Sequence, residues 1–194
     1  QINPAQTEKL YSLAVEYAGL TGRERVIDAY CGTGTIGIIA AKTAGEVIGA
    51  ELNAAAVRDA KANAQRNSVQ NIRFVCADAG RFMRDMAAQG EKADVVFMDP
   101  PRAGSDKRFL SSIITLAPEK IVYISCNPET LARDLRYLAN NGYKVSKIKP
   151  VDMFPFTHHV ETVVSLVKLP PDDVINIELD LTKLDISIND GKPT

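Results

Sequence analysis

The sequence lacks the marks of a membrane, secreted or fibrous protein. In 194 residues no apolar run approaches the ~20 needed to span a bilayer. Cysteine is scarce: Cys31, Cys76 and Cys126 are odd in number and have no metal-ligand spacing. That excludes a disulfide framework, predicts no metal site, and points to free thiols in a reducing, cytoplasmic setting. No signal segment is expected, since the first apolar residues fall at helical spacing. An excess of one charge is also missing. Lys+Arg 23 against Asp+Glu 24 leaves a net charge of −1, so no global field draws in nucleic acid. Such affinity must come from a local patch or from outside this chain. Repeats and low-complexity stretches are absent, and nothing predicts a homo-oligomer. What is there is 45% apolar and 24% charged, enough to bury a core without staples.

Short β-rich runs alternate with helical patterns. A helix is predicted from Pro4 to about Tyr17, ended by Gly19 and Gly22. Strands follow at 25–28, 47–50, 72–76, 94–98 and 121–125, with helices at 36–42, 54–66, 79–88, 107–116 and 128–140 between and after them. This rhythm predicts right-handed βαβ units: an α/β, doubly wound, mostly parallel seven-stranded sheet with helices on both faces. After Gly142 the rhythm changes. Residues 143–151 and 160–168 read as two strands with no helix between, so one of them is expected to run antiparallel. The domain is expected to cover 1–169. Pro170-Pro171 then opens an acidic extension, 170–194, whose alternating Ile175, Ile177, Leu179 and Leu181 suggest an edge strand or a linker.

Gly32, Gly34 and Gly37 form G-x-G-x-x-G between a strand and a helix, where backbone can approach a ligand closely. Glu51 ends the second strand, placed for ribose hydroxyls, and Asp78 ends the third, placed for an adenine amine. Both NAD and S-adenosylmethionine carry that adenosine. Asp28, just before the loop, repels a pyrophosphate but suits a cation, and with Glu51, Asp78 and Asp99 it favours S-adenosylmethionine. Asp28 and Asp78 have an alternative role as helix caps.

Asp99-Pro100-Pro101-Arg102 leaves the fourth strand as a rigid loop with few N–H donors, suited to framing a flat substrate. Cys126 leaves the fifth, just before a helix whose dipole is expected to lower its thiol pKa. A small buried hydrophobe is the alternative reading for it. Two adjacent histidines, His158 and His159, are expected to point apart on an extended segment, and no partner Cys or His has ligand spacing, so no metal site is predicted there. Glu161 enters an apolar strand, where partial burial would raise its pKa toward that of a useful proton acceptor; the alternative is an ordinary edge-strand Glu.

Together these segments resemble the S-adenosylmethionine-dependent RNA uracil-5-methyltransferases, the family that makes 5-methyluridine in 23S rRNA and tRNA. The resemblance runs in order through Gln1-Ile2-Asn3-Pro4, Asp28 to Gly34, Gly49-Ala50-Glu51, Asp99 to Arg102, Ser125-Cys126-Asn127-Pro128 and His159 to Thr162. It implies a class I methyltransferase, Rossmann-like fold. It implies Cys126 as nucleophile on carbon 6 of uracil and Glu161 as the base that removes the carbon-5 proton. Gln1, Tyr30, Gly32, Gly34, Glu51, Asp78 and Asp99 fall on cofactor positions, as does Thr35, where many relatives have Asn. Asp99, Pro100 and Arg102 fall against the substrate base. Arg102, in place of the aromatic of amine methyltransferases, agrees with carbon methylation. Leu131-Ala132-Arg133-Asp134 and Met153-Phe154-Pro155 look closer to rRNA members, so rRNA is the expected partner, with a tRNA uracil-5-methyltransferase or a non-catalytic RNA-binding module retaining the fold as the alternatives. Relatives carry more chain before this point, including an oligonucleotide-binding β-barrel. With the start at Gln1, this predicts a catalytic domain cut at its N-terminal edge. The scattered Arg102, Lys107, Arg108, Lys144, Lys147 and Lys149 are candidates for phosphate contacts.

Overall fold

The computed structural model describes residues 3–153 and 160–170. Gln1, the 154–159 segment with both histidines, and the extension from 171 onward lie outside the described residues, and the edge-strand or linker reading of that extension lies there with them.

Helix boundaries follow the cap residues. Asn3 accepts Gln6 N at 3.3 Å to start α1 (Pro4–Ala18), and Gly19 ends it in the left-handed conformation, φ 61°. Asn53, Asp78, Asp106 and Asn127 likewise accept first-turn amides of α3 (Ala54–Arg66), α4 (Ala79–Ala88), α5 (Lys107–Leu116) and α6 (Pro128–Ala139). The exception is α2 (Thr35–Ala40), whose cap is Gly34 and therefore brings no side chain.

The strands are β1 (Arg25–Ala29), β2 (Glu46–Glu51), β3 (Ile72–Cys76), β4 (Val95–Met98), β5 (Lys120–Ser125), β6 (Tyr143–Val151) and β7 (Glu161–Lys168). They form one sheet in the order β3-β2-β1-β4-β5-β7-β6. The strands β1 to β5 are parallel, and β7 is antiparallel to both its neighbours. The expected antiparallel strand is thus β7, inserted between β5 and β6. Composition explains the insertion. Val163, Val164 and Leu166 of β7 are fully buried, as a strand covered on both faces requires. By contrast β6, lysine-rich and exposed from Lys144 to Pro150, can only be an edge. Glu161 is therefore not an edge-strand residue.

Two apolar layers flank the sheet. Leu10, Ala14 and Ile36 bury the α1 and α2 side; Met83, Leu110, Ile113 and Leu138 bury the α4, α5 and α6 side. Each such large side chain contributes about 1.5–3 kcal/mol relative to exposure. Phe74 fixes the glycine loop against β2: a Cβ on Gly34 would lie 2.7 Å from its ring, and one on Gly49 would lie 2.5 Å away. At both positions only a hydrogen leaves room for the ring.

Candidate active site

Parallel strands deliver their last residues to one edge, and the strand order reverses between β1 and β4, which opens a crevice there. Because β7 runs the other way, its first residue reaches the same edge. Ser125 pairs with Thr162 and Val151 with Glu161, so the residue after Ser125, Cys126, emerges beside Glu161. On the other side Ala29 pairs with Met98, which sets Tyr30 beside Asp99. Glu51, Tyr30, Asp99, Cys126 and Glu161, scattered over much of the chain, share one edge.

The glycine loop forms one half of the site. Tyr30 and Gly32 both take positive φ, 63° and 52°, and a Cβ on Gly32 would meet nothing within 4 Å. The loop thus presents open backbone to a cleft of about 620 Å³. Tyr30, Gly32, Thr35 and Asp99 line it, with Thr7 and Tyr11 of α1 as the far wall. That volume suits a small molecule. Glu51 spans two amides, accepting Gly32 N at 3.1 Å and Asn53 N at 2.8 Å. Asp28 is buried, and its Oδ2 accepts Gly37 N at 2.9 Å, supplying from β1 the cap that Gly34 cannot give α2. Its Oδ1 has no partner among the described residues. Burial, with lesser repulsion from Asp99 and Glu51, pushes this carboxyl up to about 7.

An orphaned buried carboxylate oxygen, an open glycine backbone and acids at the ends of successive strands fit a ligand that is cationic at one end and carries a ribose. A pyrophosphate would meet Asp28 and Glu51 as repulsion. Asp78 caps α4 by accepting Arg81 N at 2.8 Å, so its capping role is real. It also lines a second hollow of about 240 Å³ with Tyr30 and Phe109, whose rings lie 4.7 Å apart.

Cys126, Glu161, Asp99 and Arg102 form the other half. Their charges reach one another: Glu161 raises the Asp99 carboxyl and the Cys126 thiol, and Arg102 lowers both Glu161 and Cys126. Burial is the larger influence in each case and pushes all three groups up, Asp99 to about 7. The thiol result corrects the expectation that the helix dipole holds Cys126 below its ordinary value. The end of α6 offers the sulfur little: Pro128 has no N–H, and Glu129 N is already donated to Asn127 Oδ1 at 3.0 Å. Burial and the neighbouring carboxylate decide the sign. Of the other thiols, Cys31 is buried with its pKa raised by burial, and Cys76 is exposed, on the far flank of the sheet.

The loop carrying Asp99 and Arg102 is held from α6. Asn127 Nδ2 and Thr130 Oγ1 donate to Arg102 O at 3.2 and 3.4 Å, and Arg133 Nη2 donates to Ala103 O and Ser105 O at 3.1 and 2.9 Å. Buried Asp134 takes Ser105 N. Pro100 is buried beneath, while Pro101 and Arg102 are exposed. Sequence reasoning missed this brace and the α1 wall. A signal for the brace exists: Asp134 interrupts the apolar stripe of Leu131 and Leu138, where a charge is retained only with partners.

No helix among the described residues is long and apolar enough to cross a membrane. A family model described as tRNA (uracil-5-)-methyltransferase matches residues 1–169. An uncharacterized RNA methyltransferase of Caldanaerobacter subterraneus subsp. tengcongensis is 54% identical over 163 residues, covering 84% of this chain and 36% of that protein. One from Halalkalibacterium halodurans is 50% identical over 166 residues, covering 86% and 36%. The crystal structure of Pyrococcus abyssi tRNA (uracil-54, C5)-methyltransferase in complex with S-adenosyl-L-homocysteine superposes with a TM-score of 0.69 at 37% identity, over 82% of this chain and 38% of that one. NSun6 from Pyrococcus horikoshii, 18% identical with a TM-score of 0.70, shares the fold over 82% of this chain and 52% of its own. The chain spans little more than a third of the curated relatives it matches.

Proposed function

The chain belongs to the tRNA (uracil-5-)-methyltransferase family, and from that premise we propose that it methylates carbon 5 of a uridine in RNA through a covalent bond between Cys126 and carbon 6. The observation that carries the reading is the pairing of Ser125 with Thr162, which sets Cys126 and Glu161 side by side at the sheet edge that also carries Asp99.

S-adenosylmethionine supplies an electrophilic methyl group on a sulfonium when bound. Asp28, Tyr30, Gly32, Glu51 and Asp99 are the described residues that would hold it, with Thr35 and Asp78 at the rim and Gln1 a further candidate outside the described residues. The chain's own chemistry is addition and proton removal. Carbon 5 of uracil is a poor nucleophile until Cys126 Sγ, as thiolate, adds to carbon 6 and loads electron density onto carbon 5. Asp99 and Arg102, on the braced loop above buried Pro100, orient the base. Once carbon 5 carries the methyl group, Glu161 accepts its proton, the carbon 6–sulfur bond breaks, and Cys126 leaves as thiolate. Burial raises the Glu161 carboxyl, making it a better proton acceptor than an exposed glutamate.

For the RNA class we take 23S rRNA, on the resemblance of the 131–134 and 153–155 segments to rRNA members, with cytoplasmic action. The second reading is tRNA, favoured by the Pyrococcus abyssi neighbour at 37% identity. Arg133 and Asp134 act inside the domain, on the 102–105 loop, so their position supports neither class over the other.

The test is the denatured mass of the chain after incubation with S-adenosylmethionine and stem-loops carrying 5-fluorouridine, one of rRNA and one of tRNA sequence. Fluorine cannot leave as a proton, so a working enzyme stalls as a covalent adduct. An adduct lost in Cys126→Ala supports the mechanism, and the preferred stem-loop assigns the class. Cofactor binding without any adduct from either RNA overturns the covalent reading.

A further inference from the structure

The edge strand β6 carries three lysines in the pattern Lys144, Lys147, Lys149. In a regular strand Lys144 would face away from the other two, because side chains alternate. The pairing with β7 shows otherwise. Lys144 stands opposite Val167, Val145 opposite Leu166, Lys147 opposite Ser165 and Lys149 opposite Val163, with a register shift between Val145 and Lys147. Ser146 is the extra residue of a β-bulge, and its hydroxyl donates to Ser165 O at 3.0 Å. The bulge resets the alternation. Lys144, Lys147 and Lys149 now lie opposite Val167, Ser165 and Val163, which alternate along one face of β7.

That face is the α1 side. Val163 packs in the apolar layer under α1, and Lys147 Nζ lies 5.1 Å from the centroid of the Tyr17 ring on α1. Exposed Val145 and Ile148, 43% and 58% accessible, fall on the opposite face. All three lysines are exposed, and among the described residues none is in a salt bridge. Two strand positions separate neighbouring lysines along β7, so the row advances about 6–7 Å per charge. It runs toward the active edge: Lys149 precedes by two residues Val151, which pairs with Glu161.

We propose that the bulge at Ser146 aligns Lys144, Lys147 and Lys149 into a track for the phosphates of the RNA strand whose uridine enters the site at Cys126 and Glu161. The proposal rests on the RNA-methyltransferase reading above. Its occupant follows from charge complementarity. The chain as a whole is neutral to within one charge, so a polyanion has no global field to follow, and a spaced row of cations ending at the catalytic edge provides a local one. An edge strand this exposed is also protected from pairing with other chains by lysines, but that function does not require them to share a face.

The test titrates the full chain with a fluorescently labelled uridine-containing stem-loop over a series of KCl concentrations. Every lysine–phosphate pair removed makes the slope of log K against log salt shallower by about 0.7–0.9, so Lys144→Gln/Lys147→Gln/Lys149→Gln should flatten it by about 2–3. The triple arginine variant should keep the wild-type slope, which separates charge from any effect on folding. The exchange Lys144→Val with Val145→Lys moves one cation to the opposite face and should flatten the slope by about 1 with no charge removed. A wild-type chain that binds RNA with the same slope as the glutamine variant overturns the lysine track alone. A wild-type chain that binds no RNA at any salt overturns the reading beneath it as well.

Discussion

The carboxylate of Asp134 accepts the Tyr123 hydroxyl at 2.7 Å, and the same oxygen takes Ser105 N at 2.8 Å. One buried side chain on α6 thus ties β5, which leads to Cys126, to the loop that carries Asp99 and Arg102. Its other oxygen meets Arg133, whose guanidinium also holds Ala103 O and Ser105 O.

Asp134→Ala strands a buried hydroxyl and a buried amide and frees the Arg133 fork. The cost should be about 3–5 kcal/mol, read as a lower urea midpoint with an unchanged slope. Asp134→Asn, which keeps one acceptor, should cost less. A loss under about 1 kcal/mol for the alanine variant would mean that the brace is dispensable.

Gly104 tests the same brace from the loop side. Its φ is 72°, and a Cβ there would lie 2.6 Å from Arg133 Nη2 and 2.9 Å from Asp134 Oδ2. Gly104→Ala should displace the loop, lowering kcat/KM for RNA by about tenfold or more while cofactor affinity, measured by calorimetry, stays within about twofold. Equal losses in both would argue for general misfolding.

Burial and Glu161 hold the Cys126 thiol above its ordinary value, and Arg102 opposes them. The thiolate is then a minor species at neutral pH and grows about tenfold per unit below its pKa. Adduct formation with 5-fluorouridine RNA should therefore accelerate from about pH 7 to 9. Arg102→Gln, by removing the opposing cation, should move the rise to higher pH. Quenched-flow rates that are flat across this range would contradict the assignment.

Asp28 couples stability to pH in the opposite sense from a surface carboxylate. Its pKa stands at about 7 in the fold against 3.8 ordinarily, so the fold favours the protonated form. That contribution is complete below the unfolded value and is lost as pH rises through 7. Asp28→Asn keeps an oxygen for Gly37 N and removes the charge. Without ligand it should melt at least about 3 °C above wild type near pH 8 and equal to it near pH 4, while binding S-adenosylmethionine more weakly. Calorimetric melts at both pH values decide it; a lower melting point near pH 8 would overturn this account of the orphaned oxygen.

On the proposed mechanism, Glu161→Gln leaves the nucleophile in place and removes the base. Ordinary, unfluorinated RNA should then accumulate as a covalent adduct visible on a denaturing gel, with turnover reduced by about 100-fold or more. Normal turnover would assign the proton to another group.

The alternation of strands and helices was legible in the sequence by itself because each element carries its own period and its own caps. The predicted helix and strand centres recur in α1 to α6 and β1 to β7, and Asn53, Asp78, Asp106 and Asn127 cap where local chemistry puts them. The glycine loop and the acids behind it were legible for the same reason, since a strand-to-helix turn is a local event. What needed the tertiary structure was everything set by partners far along the chain. The place of β7 between β5 and β6 is decided by which strand can be buried on both faces, and it alone brings Glu161 to Cys126. The sign of the Cys126 shift depends on burial and on a carboxylate 35 residues away, neither of which the local sequence reveals. Whether three lysines of one strand share a face depends on a bulge that only pairing with β7 reveals. Local propensity and side-chain period belong to the sequence; burial, register and through-space charge exist only once the sheet has closed.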